Sequence, residues 1–226
     1  MKILCVGMNY VEHNKELNNS LYNSEPVLFS KPESALIREG KPFFIPDFAE
    51  RFDYETEIVV RINRLGKDIA ERFAYRYYNE VTVGIDFTAR DLQDTLRSKG
   101  LPWDICKGFD GAAALGHFVD KSELPSVQDL HFHLDIDGKT VQQGHTADMI
   151  HSIDQIVSYA SRFFTLKTGD LIFTGTPAGV GPVHQEQRLT GYIEDKKLLE
   201  LRVKYKTSPP PRASPPPPLQ RARGVK

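Results

Sequence analysis

Two periods organise the apolar and polar positions of this chain, and the two-residue period dominates. In a strand successive side chains point to opposite faces, whereas an amphipathic helix brings positions i, i+3, i+4 and i+7 to one side. By that criterion residues 1–8 (MKILCVGM), 51–63 (RFDYETEIVVRIN), 171–174 (LIFT) and the VTVGID end of 75–86 predict strands, their β-branched and aromatic residues favouring extended backbone. Within 130–143, Asp137-Gly138 stands between extended flanks and predicts a tight hairpin turn. Residues 26–32 (PVLFSKP) predict a short extended piece fenced by prolines, which bars it from the middle of a sheet. Helical spacing governs 149–164, where Ile150, Ile153, Ile156, Val157, Ala160 and Phe164 share a face. It is weaker in 88–98, and residues 10–17 read as a short helix or loop. The expected fold class is α+β, mainly β, one domain over residues 1–205 with a few peripheral helices and no internal repeat.

Charge narrows the partners. Lys and Arg number 29 against 30 Asp and Glu, so no overall field draws nucleic acid or an acidic membrane surface, and a small molecule is the expected partner. No segment is long and apolar enough to span a bilayer, and the first apolar run is too short for a signal sequence. The two cysteines, Cys5 in a strand-like run and Cys106 in an expected loop, suit a reducing compartment, so a cytoplasmic protein is expected. Residues 206–226 (KTSPPPRASPPPPLQRARGVK) contain nearly half of the 15 prolines and no acidic residue. That composition predicts a disordered or polyproline II tail, either a partner-docking segment of the PxxP kind or read-through sequence.

Candidate chemistry begins at 53–60, DYETEIVV. A strand there sets Asp53, Glu55 and Glu57 on one face, with Tyr54, Thr56 and Ile58 on the other. Such a row is either a solvated face or a pocket wall whose repulsion requires a cation, and oxygen donors suit a hard divalent ion such as Mg2+ or Mn2+. Asp86 closes VTVGID, and Arg90 and Gln93 follow at spacings that share a helix face; Asp86 as a helix N-cap and Arg90 as a surface ion pair is the alternative. Lys107, after Ile105-Cys106, is expected to be half-buried and to need an acidic partner from Glu55, Glu57 and Asp86. If 9–16 (NYVEHNKE) is helical, His13 and Glu16 are neighbours, an arrangement in which a carboxylate orients an imidazole for general-base work; a solvated pair is the alternative. The turn 174–181 (TGTPAGVG) lacks the lysine and spacing of a P-loop, but its glycines permit close backbone approach to a ligand, with the Thr176 hydroxyl as an anchor. His131 and His133, with no acidic or thiol partner nearby in sequence, read as surface residues, and His145 as a pocket group or a turn residue.

Taken in order, NYxxHxxE, PxxFxKP, DYExE, GxDxxxRDxQ, KGFD and TGTPAGVG resemble the fumarylacetoacetate hydrolase family, in particular its shorter members acting on acylpyruvates and related oxo-diacids. One such motif is weak; six in order are specific. The resemblance implies a mixed β-roll or β-sandwich of that family's C-terminal domain type, a homodimer, and Mg2+ or Mn2+ held by Glu55, Glu57 and Asp86. It also implies Lys107 beside the metal, substrate contacts from Arg90, Gln93 and Thr176, and a water-activating dyad of His13 and Glu16. The implied activity is hydrolysis of a carbon-carbon bond in an acylpyruvate or related β-diketo acid to release pyruvate, with Lys107 neutralising the carboxylates and helping to hold the oxyanion. Oxaloacetate decarboxylation or tautomerisation, and 2-hydroxyhepta-2,4-diene-1,7-dioate isomerisation, would use the same metal without a hydrolytic water. A non-catalytic metal- or ligand-binding scaffold is the rival of another class. Where the family shows A-P-L-G-P, this chain has Ala113-Ala114-Leu115-Gly116-His117, which predicts a looser loop or an altered pocket rim.

Overall fold

The computed structural model describes residues 1–16, 25–37 and 40–205, so the expected tail lies outside the described residues. Fifteen strands follow in chain order: β1 (Ile3–Gly7), β2 (Val27–Lys31), β3 (Phe43–Ile45), β4 (Phe52–Tyr54), β5 (Thr56–Ile62), β6 (Tyr78–Asp86), β7 (Thr88–Ala89) and β8 (Ala113–Leu115), then β9 (Val119–Asp120), β10 (His131–Ile136), β11 (Lys139–His145), β12 (Leu171–Phe173), β13 (Gly181–Pro182), β14 (Arg188–Ile193) and β15 (Lys196–Tyr205). Among the described residues five α-helices intervene, α1 (Val11–Glu16), α2 (Glu71–Ala74), α3 (Arg90–Ser98), α4 (Asp104–Lys107) and α5 (Ile153–Phe163). The fold is mainly β. A seven-stranded sheet runs β2-β1-β12-β5-β6-β8 with β9 also on β6, a five-stranded sheet runs β11-β10-β14-β15-β3, and β13-β4-β7 form a small third sheet. Among the described residues no helix is long and apolar enough to cross a membrane.

Alternation sorts the side chains of the large sheet. Leu4, Val6, Ile58, Val60, Ile62, Val81, Val83 and Ile85 face the main core, which they share with Phe132, Leu134, Leu189, Ile193 and Leu201 of the second sheet. Ile3, Cys5, Val59, Leu171 and Phe173 form a smaller cluster on the opposite face. With both faces covered, Ile58-Val59-Val60 can be apolar without a break. Each such side chain, fully buried, contributes on the order of 1.5–3 kcal/mol relative to exposure. The proline-fenced segment is β2, at a sheet edge as expected. Asp137 and Gly138 both have positive φ, 51° and 79°, and join β10 to β11 in the tight turn their sequence predicts.

Several elements differ from expectation, each for a local reason. The strand predicted over 51–63 breaks at Glu55, because β4 turns away to pair with β7 and β13 while β5 enters the large sheet. Thr88 and Ala89 belong to β7, so the helix predicted from Thr88 starts at Arg90. Ile150 lies before α5, whose start is fixed by a capping box between Ser152 and Gln155. Cys106 is in α4 and not in a loop. Residues 113–115 are no loose loop: they pair with Gly84, Ile85 and Asp86 as β8.

The end of β6 tolerates no side chain at Gly84. A Cβ there would lie 2.7 Å from Val59 Cγ2, 2.9 Å from the Ala114 carbonyl oxygen and 2.9 Å from Phe173. Since the backbone oxygen belongs to β8, the adjacent strand cannot yield without moving Asp86 as well. Gly84→Ala is therefore expected to lower stability by about 1–3 kcal/mol, the range for overpacking, with a matching fall in melting temperature. An unchanged melting curve would contradict the packing at this strand end.

Candidate active site

Glu57 pairs in register with Gly84, and Asp86 lies two residues further along β6 on the same face. Glu55 sits in the break between β4 and β5, where its carbonyl accepts the Asp86 backbone N–H at 2.8 Å. The three carboxylates therefore converge: ligand oxygens of Glu55, Glu57 and Asp86 all lie within 4.8 Å of one another, and all three residues are buried. Asp53 does not join them. Its carboxylate receives Arg51 Nε at 2.7 Å and Arg90 Nε at 2.8 Å, so the break in the strand separates it from the row that strict alternation predicted.

Cations surround the triad unevenly. Lys107 Nζ donates to Glu55 Oε2 (2.6 Å), Asp86 Oδ2 (3.0 Å) and Thr88 Oγ1 (2.6 Å). Arg90 Nη2 donates to Glu55 Oε1 at 2.5 Å, and its Nη1 to Gln93 Oε1 at 2.5 Å. Arg90 is thus a buried strut between Asp53 and Glu55, and the surface ion pair and the Asp86 N-cap are both excluded, since Ala89 precedes α3. Lys31, its side chain wholly buried, lies 2.7 Å from Asp86 Oδ1 and donates to the Lys107 carbonyl. Among the described residues Glu57 receives only the Gly175 N–H, at 2.8 Å. Burial, then the charges of Asp86 and Glu55, push the Glu57 carboxyl well above the usual carboxylate range. Burial pushes Glu55 the same way, but Lys107 and Arg90 outweigh it and hold its carboxyl low. All-oxygen donors, crowded and with one carboxylate lacking a cationic partner, fit a divalent cation.

The rest of the site comes from α1 and the glycine turn. His13 is 5% exposed, and its Nδ1 lies 3.3 Å from Glu16 Oε2. Burial lowers the His13 pKa from its ordinary value despite the nearby Glu55 and Glu16. Glu16 in turn accepts the Gly179 N–H at 3.2 Å, which ties α1 to the turn. Asn9 holds the turn from the other side, donating to the Thr174 carbonyl at 2.8 Å, and Gly175 (φ +98°) leaves no room for a Cβ, which would meet Asn9 Cβ at 2.7 Å. Thr176 Oγ1 donates to the Thr56 carbonyl (2.9 Å) and accepts Gln142 Nε2 (2.8 Å), so its hydroxyl is fixed before any ligand arrives.

One cavity brings together His13, Glu55, Glu57, Asp86, Arg90, Gln93, Lys107 and Thr176, with Glu16 behind His13; Val6, Gly7, Met8, Phe29, Arg97 and Trp103 complete its wall. The residues to which the family resemblance gave a role are therefore all in or against this site, whereas Asp53 is not. Lys107 is fully buried, more than expected, and its three donors are engaged. In this arrangement it neutralises the cluster and has no N–H left for an oxyanion. Sequence reasoning gave no role to Lys31, Gln142 or Asn9, although Asn9 and Lys31 stand within two of the motifs, NYxxHxxE and PxxFxKP. The remaining histidines lie elsewhere: His145 ends β11, 2.6 Å from Asp129 and stacked on His131, while His133 stacks on Tyr192 and lies 3.9 Å from Asp135, an acidic partner the sequence reading did not expect. Cys5 backs the site, its thiol pushed up by burial and by the charge of Asp86.

Known proteins share this framework. Residues 2–208 match the fumarylacetoacetate (FAA) hydrolase C-terminal family. The chain is 39% identical over 202 residues to the mitochondrial oxaloacetate tautomerase FAHD1 of Mus musculus, covering 89% of this chain and 91% of that protein. A crystal structure of fumarylpyruvate hydrolase from Pseudomonas aeruginosa, in complex with Mn2+ and pyruvate, is 35% identical with a TM-score of 0.85, over 91% of this chain and 90% of that one. A 2-hydroxyhepta-2,4-diene-1,7-dioate isomerase from Mycobacterium marinum is 32% identical with a TM-score of 0.79, over 92% of this chain and 75% of that one. By sequence, by fold and by length of match, this chain belongs to the fumarylacetoacetate hydrolase family.

Proposed function

We propose that this chain is a divalent-metal-dependent hydrolase that cleaves a carbon-carbon bond in a 3-acylpyruvate or related β-diketo acid and releases pyruvate. The observation that carries this reading is the meeting, in one buried cavity, of a carboxylate triad and a histidine whose pKa is lowered beside a second carboxylate. Glu55, Glu57 and Asp86 would hold Mg2+ or Mn2+, which when bound supplies Lewis acidity to the substrate's 2-oxo and carboxylate oxygens. Lys107 and Lys31 limit the repulsion within the triad, and Arg90 fixes the orientation of Glu55. Glu16 faces Nδ1 of His13, which sets the proton there and leaves Nε2 as the base. His13 takes a proton from water, the resulting hydroxide adds to the distal carbonyl carbon, and the bond from that carbon to C3 breaks. The electron pair passes to the 2-oxo oxygen as an enolate, and protonation at C3 gives pyruvate. Gln93 Nε2 has no partner among the described residues and is available to a substrate oxygen.

A second reading is favoured by the mouse relative: oxaloacetate tautomerisation, in which one proton leaves the enol oxygen and one is delivered to C3. It uses the same carboxylates and the same base but consumes no water.

Three outcomes are expected. With Mg2+ or Mn2+, a panel of acylpyruvates should lose enol absorbance and yield equimolar pyruvate, and chelator should abolish both; oxaloacetate keto-enol exchange without pyruvate from any acylpyruvate would favour the second reading. Glu57→Ala should lose calorimetric metal binding, whereas His13→Ala should retain it and lose about 10²–10⁴-fold in kcat; equal metal affinity in the two variants would sink these assignments. Because the His13 pKa is lowered, its basic form persists on acidification, so the acid limb of kcat/KM should fall below pH ~6.5, the value of an unperturbed histidine. A limb above that value would exclude His13 as the base.

A further inference from the structure

Two elements run outward from the carboxylates. Alternation along β2 puts Lys31, Phe29 and Val27 on one face, each two-residue step advancing about 6.6 Å. Lys31 meets Asp86 at 2.7 Å, and the Phe29 ring, next along the strand, lies 5.4 Å from Lys107 Nζ. In α4, Lys107 meets Glu55 and Asp86, and its backbone N–H reaches back at 2.9 Å to the carbonyl of Trp103, with Leu101 and Pro102 just before it. Phe29 and Trp103 join the two elements, packed edge to face with ring centroids 5.8 Å apart. Both series therefore read lysine, aromatic ring, aliphatic residue as they leave the triad.

The same two rings also wall a groove of about 390 Å3, whose other lining residues are Val27, Leu28, Leu101 and Pro102, with Ser30 and Asp104 as its polar members. Since Phe29 and Trp103 belong to both spaces, the groove continues the cavity. Scattered apolar residues are ordinary at a surface, but these are contiguous with a buried site and ordered by polarity along two separate elements. The remaining cation of the cavity wall, Arg97, stands in the last turn of α3, where it complements the helix carbonyl end.

From this order of chemistry we infer that the groove is a subsite for the tail of the substrate and takes an extended apolar acyl chain. The inference rests on the 2-oxo acid reading above: the oxo-acid head meets the triad, the first carbons pass Phe29 and Trp103, and the end of the chain covers Val27, Leu101 and Pro102. The Phe29 ring lies 5.4 Å from an amine that is itself 3.0 Å from Asp86. A chain of roughly six carbons beyond the 2-oxo carbon spans that reach, at about 1.2 Å per bond of extended chain.

Graded 2-oxo monoacids, namely pyruvate, 2-oxobutyrate, 2-oxohexanoate and 2-oxooctanoate, test it on the Mn2+-loaded protein. They lack the distal carbonyl and so are not cleaved. The readouts are titration calorimetry and the emission of Trp103, the only tryptophan of the chain. 2-Oxooctanoate should bind about tenfold tighter than 2-oxohexanoate, the effect of two buried methylenes, and should move Trp103 emission to shorter wavelength more than pyruvate does. Leu101→Asp, at an exposed loop position, should lower the ratio of 2-oxooctanoate to pyruvate affinity by about tenfold, and Leu101→Met should restore it. Flat affinity along the series, or a rise that survives Leu101→Asp, would overturn the subsite while pyruvate binding upholds the 2-oxo acid reading. Failure of pyruvate and every longer acid to bind the metal-loaded protein would overturn both.

Discussion

Three carboxylates share a buried space at the end of β5 and β6, and most of the surrounding sequence is arranged to make that tolerable. Taking an ion out of water costs on the order of several kcal/mol, and like charges so close add to it. Two lysines from separate elements, β2 and α4, and an arginine from α3 converge to offset the charge. The compensation is incomplete at Glu57, which holds only one backbone N–H. The protein thus keeps a local excess of negative potential at the point where a hard cation would add most.

Geometry and charge are set by different parts of the chain. Strand register aims Glu57 and Asp86, and the change of sheet at Glu55 brings in the third carboxylate. His13 comes from a short helix held by the glycine turn, through Glu16 and Gly179 on one side and Asn9 on the other. Gln142, from the second sheet, fixes Thr176 and also accepts the Thr56 N–H, so the hairpin of β10 and β11 supports the site it does not line. Such engagement of each group before a ligand arrives reduces the ordering needed on binding.

Much of this was legible in the residues. DYETEIVV announced both a strand and a charge problem, and Asp137-Gly138 announced its hairpin, because each depends on local backbone preference and period. Six ordered motifs pointed by likeness to the residues that meet in one cavity. What escaped was long-range: that Asp53 would turn to Arg51 and Arg90, and that Lys31 would meet Asp86 across 55 positions of chain, follows from sheet topology and not from spacing. The intact β8, where loss of two prolines suggested a looser loop, makes the same point. Pairing with Gly84 to Asp86 supplies the order that local chemistry did not foretell.

Cys5 adds a consequence for ion choice. It lies behind the carboxylates, yet burial and the negative charge of Asp86 keep it in the protonated form, and a thiol is a poor ligand until it loses its proton. Burial likewise raises the Cys106 thiol beside Lys107, so among the described residues neither cysteine offers a thiolate, and the donors the triad presents are oxygens. Soft or thiophilic ions such as Zn2+ and Cu+ find no thiolate to favour them, so discrimination against these scarcer metals is built into the same negative charge that attracts the abundant hard ones.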